Sequence, residues 1–89
     1  MQIVADSKIV LQKVYELLDN ESYTLVVRIP MDEMAEKLNM SKKHLNLCIH
    51  YLIECGYLKG DFCYNNNENS TKEVFVLPLA INKCEHATL

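Results

Sequence analysis

The chain has 89 residues, with 9 Lys and Arg against 12 Asp and Glu, a formal charge of −3 and 49% apolar residues. That length holds one domain, and the composition is that of a globular protein, so a second domain, a disordered chain and a collagen-like repeat are excluded. No apolar run approaches the ~18–20 residues that span a bilayer. The N-terminal MQIVADSKIVLQK reads as lacking a secretory leader, and a cytoplasmic protein without a membrane partner is expected.

Residues 6–20 are expected to form a first helix. Asp6 or Ser7 can cap it by offering a side-chain oxygen to unpaired backbone N–H groups. Val10, Val14, Leu17 and Leu18 give its buried stripe. Thr24 to Ile29 is rich in β-branched residues and predicts a short strand that Pro30 ends. A second helix is predicted over 31–38, with Pro30 suited to its first turn and Asp32 and Glu33 favoured there by the helix dipole. Its apolar face is Met31, Met34, Ala35 and Leu38.

Asn39 follows the last apolar residue of that helix and is the best residue after glycine for the left-handed conformation that stops one. Met40 returns to the core and Ser41 is placed to cap the next helix. A third helix is predicted over 42–55, burying Leu45, Cys48, Ile49, Leu52 and Cys55. Lys43, Asn46, Leu47, His50 and Glu54 lie on its other side, and Gly56 ends it. Tyr57 to Tyr64 and Glu73 to Leu77 predict two strands of a hairpin, joined by an Asn-rich loop over 65–71. Residues 78–89 read as a short helix or an ordered tail.

The cysteines are Cys48, Cys55, Cys63 and Cys84. Without an export signal they are not expected to pair, and Asn69-Ser70-Thr71 is a silent sequon. The nearest approach to a metal set is Cys55, Cys63, Cys84 and His86, which lacks the close ligand pairing of zinc sites. No metal or other cofactor is expected. Glycine-rich phosphate loops, nucleophile elbows and H-E-x-x-H are all missing, so neither catalytic residues nor an enzyme is expected. His44 and His50 have no carboxylate or Cys at useful spacing on their own helix, which argues against ligation or catalysis by either.

The order helix, strand, helix, tight turn, helix, hairpin, with Met34-Ala35-Glu36-Lys37-Leu38-Asn39-Met40-Ser41 followed by Leu45, Cys48-Ile49, Leu52 and Gly56-Tyr57-Leu58, resembles the winged helix-turn-helix family of bacterial and phage regulators. The resemblance covers residues 6–77. It implies a mostly helical α+β fold of three helices, a hairpin wing over 57–77 and a short strand on its N-terminal side. It also implies transcription regulation by a duplex DNA-binding protein whose third helix lies in the major groove. The DNA-binding residues so implied are Ser41, Lys42, Lys43, His44, Asn46, Leu47 and His50, with Lys72 flanking the wing. Residues 41–54 carry two Lys and one Glu. This is too little charge for strong binding by one subunit, and a homodimer is expected to double the contacts. Leu47 stands where the family commonly has a polar reader, which leaves a second expectation open. A protein-interaction module would grip a partner protein through Leu47, Tyr51 and Ile53 and bind no nucleic acid.

Overall fold

The computed structural model describes residues 2–18, 24–60 and 71–86. Over these residues the chain is a small, mostly helical α+β fold. Its elements are α1 (Ile3–Glu16), β1 (Val26–Pro30), α2 (Met31–Lys37), α3 (Lys42–Glu54), β2 (Leu58–Lys59), β3 (Thr71–Val76) and α4 (Pro78–His86). The strands form one antiparallel sheet in the order β1-β3-β2. Val27 faces Val74 across β1 and β3, and Leu58 faces Val76 across β2 and β3. Those four side chains are buried, whereas Arg28, Glu73 and Phe75 alternate with them onto the outer face, as the period of two along a strand requires.

The first helix starts three residues earlier than the sequence predicts, at Ile3, and neither Asp6 nor Ser7 caps it. Asp6 lies in its first turn and Ser7 on its buried stripe with Val10, Leu11 and Val14. This spacing of i, i+3, i+4, i+7 points one narrow face at the core. Ser7 is 1% exposed, and its hydroxyl donates a long 3.5 Å hydrogen bond to the Cys48 carbonyl on α3. Leu17, expected in the stripe, is partly exposed and lies just past the helix, which ends at Glu16.

The two turns that bracket α3 carry most of the geometry. Asn39 has φ +56°. The Asn39 N–H donates to the Glu36 carbonyl at 3.1 Å and the Met40 N–H to the Ala35 carbonyl at 3.0 Å. Gly56 repeats the pattern at φ +87°, with N–H donors of Gly56 and Tyr57 on the carbonyls of Ile53 and Leu52. Both are Schellman endings, in which one left-handed residue lets two late carbonyls find donors. Pro30 closes β1 and stands at the N-cap of α2, and Asp32 and Glu33 occupy the first turn of that helix.

At the C-terminus the structure takes one of the two expected alternatives and brings the helices among the described residues to four where three were expected. Residues 78–86 form a fourth helix, not a tail. Pro78 opens it, where a missing N–H costs nothing, and Ala80 and Cys84 are buried against the core. The Tyr15 hydroxyl donates to Glu85 at 2.8 Å, joining α4 to α1. Cys55, expected in the core, is exposed because it caps α3 beyond the last turn. Thr71 belongs to β3 rather than to the loop. Residues 61–70, with Cys63 and the Asn-rich stretch, lie outside the described residues. No helix among the described residues is long and apolar enough to cross a membrane.

Candidate nucleic-acid interface

The α3 helix starts from Ser41, whose hydroxyl oxygen accepts a 3.1 Å hydrogen bond from the backbone N–H of His44. That cap fixes where the first turn begins and therefore where its cations point. Lys42 turns toward α2 and sets its ammonium 3.0 Å from the Asp32 carboxylate. Lys43 is exposed and has no ion-pair partner among the described residues.

His44, expected among the DNA-binding residues, turns inward. Its Nε2 lies 2.7 Å from Oδ2 of Asp6 on α1 and 3.8 Å from the Cys48 thiol. An ionised carboxylate only accepts hydrogen bonds, so the short contact requires Nε2 to carry the proton. The sequence expectation of no useful partner on the same helix fails for both histidines. Cys48 lies one turn beyond His44, and Glu54, one turn beyond His50, lies 3.6 Å from it. His50 is exposed. Of the two lysines and two histidines on α3, only Lys43 lacks a carboxylate neighbour among the described residues.

Asn46 is half-buried, and its Oδ1 is buried without a hydrogen-bond partner. One end of the amide is thus turned away from solvent, and a base edge would meet only its other end unless the side chain rotates. Leu47 is half-buried and stands apart from the partly buried residues packed on the core, which include Ile53. Tyr51 is partly exposed, so of the apolar trio proposed to grip a partner, Ile53 is committed to the core. Lys72 lies in β3 opposite Ile29.

The Asp6, His44 and Cys48 cluster resembles an activated thiol in composition but not in physics. Cys48 is fully buried. Burial pushes its thiol up, the Asp6 carboxylate adds to the rise, and the Ser7 hydroxyl pulls the other way. A nucleophilic cysteine needs a lowered value and access to substrate, so this thiol acts as a small core residue. Cys84 is buried while His86 is exposed. Among the described residues no group of three or more His, Cys, Asp or Glu is placed to hold a metal ion.

Comparison with protein-family models, with curated proteins and with solved structures finds no match to this chain.

Proposed function

We propose that the chain is a winged helix-turn-helix module that binds duplex DNA as a homodimer and regulates transcription. In this reading α3 enters the major groove and the β2–β3 hairpin flanks the backbone. The observation that carries it is the α2–Asn39–α3 turn, which ends in a capped 13-residue helix with Lys43 exposed in its first turn. The helix N-terminus and Lys43 together suit a phosphate, and Lys42 becomes available when a phosphate competes with Asp32. The element order and the β1-β3-β2 strand order are compatible with that fold family. His44 leaves the set of reading residues, because its imidazole is held by Asp6.

The test is a fluorescence-anisotropy titration of a mixed-sequence duplex between 50 and 200 mM salt. Two phosphate contacts per subunit predict an affinity loss of about 10-fold for a monomer and about 100-fold for a dimer across that range. No binding at 50 mM salt, or binding indifferent to salt, overturns the proposal.

One observation favours a second reading, a protein-interaction module. The carboxylates beside Lys42, His44 and His50 reduce the positive field that α3 presents, and Leu47 is half-buried without joining the core. Leu47→Arg separates the two: it adds a phosphate contact and strengthens DNA binding in the first reading, and abolishes association with a protein in the second.

A further inference from the structure

At the corner where α1, the end of α3 and α4 meet lies a half-enclosed cleft of about 120 Å³. Leu11 and Leu52 form part of its lining, Tyr51 and Tyr57 contribute two aromatic rings, and Lys8 and Lys83 stand among the lining residues. Val4, beside them, is 55% exposed and Tyr51 36%. Neither lysine has an ion-pair partner among the described residues. The Lys83 ammonium lies 5.8 Å from the centre of the Tyr57 ring, and no Asp or Glu lines the cleft.

Size decides what fits. Small-molecule sites run to about 300–1,000 Å³, well above this cleft. A closed apolar cavity of about 150 Å³ holds one benzene ring, so the cleft takes a single apolar side chain. A nucleic-acid backbone would satisfy the lysines but has nothing to place against Leu11 and Leu52. We infer that this corner docks an acidic segment of a partner protein, with one aromatic or branched aliphatic side chain in the cleft and flanking carboxylates on Lys8 and Lys83. Tyr51 and Leu52 belong to the end of α3, but the inference draws on neither Lys42 and Lys43 nor Leu47.

The experiment titrates the full chain, labelled with ¹⁵N, with an eight-residue peptide of Glu and Asp around one central Phe. Two controls are the same peptide with Ala for Phe and one with Lys for every acidic residue. The expected result is shift changes gathered at Val4, Tyr51, Tyr57 and Lys83, with a Kd at least tenfold lower than for either control. The exposed-site variant Lys8→Glu/Lys83→Glu, checked for native circular dichroism, should lose the acidic peptide and gain the basic one.

Equal binding of all three peptides overturns the inference, as does absence of binding. A dimer in sedimentation equilibrium that Tyr51→Glu dissociates identifies a second copy as the occupant and also overturns it. Running the DNA titration on the lysine variant keeps the two proposals apart. Unchanged DNA affinity is expected, and a weakened one assigns these lysines to phosphate and overturns the docking site.

Discussion

The His44 imidazole reaches from α3 to α1 and sets its Nε2 2.7 Å from Oδ2 of Asp6, 38 residues earlier in the chain. Both side chains are mostly removed from water, 17% and 31% exposed. The contact therefore acts between the partly buried and the surface regimes. A hydrogen bond involving charged groups contributes about 1.5–3 kcal/mol, and surface pairs contribute about 0–1 kcal/mol. Asp6→Ala should thus lower the unfolding free energy by about 1–2 kcal/mol in urea titrations. A double-mutant cycle with His44→Ala should give a coupling of about 1 kcal/mol. A coupling near zero would show that the pair is an accident of packing.

The crossing of α2 and α3 rests on one left-handed residue. Asn39→Gly should leave stability unchanged or slightly raised, because glycine adopts φ near +56° without a Cβ penalty. Asn39→Ala should cost about 1 kcal/mol, since alanine has no polar side chain to offset the left-handed conformation. Gly56→Ala offers the matching test. A Cβ there meets no atom within 4 Å, so any loss, expected at about 1–2 kcal/mol, reports backbone strain less the gain from a stiffer unfolded chain, with no clash. Urea midpoints at constant slope measure all three.

Such local devices were legible because each is written in adjacent residues. Pro30, Asn39, Ser41 and Gly56 each stand within two residues of the helix end they mark. The buried residues Leu45, Cys48, Ile49 and Leu52 follow from helical spacing. What spacing could not supply is the identity of the neighbour. The family resemblance puts His44 and Lys42 among the DNA-binding residues without saying that Asp6 lies beside the one and Asp32 beside the other. The same blindness hid Ser7, a polar residue on an apolar stripe whose hydroxyl is satisfied by a carbonyl of another helix. The α4 helix was hard to read because its buried side chains, Ala80 and Cys84, are small and weakly hydrophobic. Their spacing of one turn was the available signal. For the interface the lesson is electrostatic: sequence counts charges, whereas the carboxylates that compensate them come from α1 and α2 as well as from α3.

The buried thiols predict an alkaline loss of stability. Burial pushes Cys48 and Cys84 above the ordinary thiol value. The folded chain therefore keeps protons that the unfolded chain releases. Stability is unaffected by these groups below about pH 8.5 and falls as pH rises beyond it, through the raised folded values. Urea unfolding at pH 7.5 and 9.5 should show this fall, and Cys48→Ala/Cys84→Ala should flatten it whatever its baseline stability. The range stays below about pH 10, the ordinary tyrosine value, because Tyr15 and Tyr51 are also raised and add a fall of the same sign beyond it. Labelling with a thiol reagent supplies an internal check: exposed Cys55 should react at once, and Cys48 and Cys84 only as fast as the fold opens.

Adjacent lysines on α3 should differ in their effect on DNA. Lys42 is engaged with Asp32 at 3.0 Å, so a phosphate must displace a carboxylate before Lys42 contributes. Lys43 carries no such cost among the described residues. Lys43→Ala should therefore weaken binding more than Lys42→Ala, and each should reduce the salt slope by about 1 only where the lysine meets a phosphate. Asp32→Asn is the informative variant. It releases Lys42 and removes a negative charge facing the duplex. Because an exposed pair is worth up to about 1 kcal/mol, affinity should rise by as much as about 5-fold. A rise confined to low salt would match that screened origin. If Asp32→Asn changes nothing and Lys42→Ala and Lys43→Ala prove equal, the first turn of α3 is a solvated surface and the DNA reading loses its anchor.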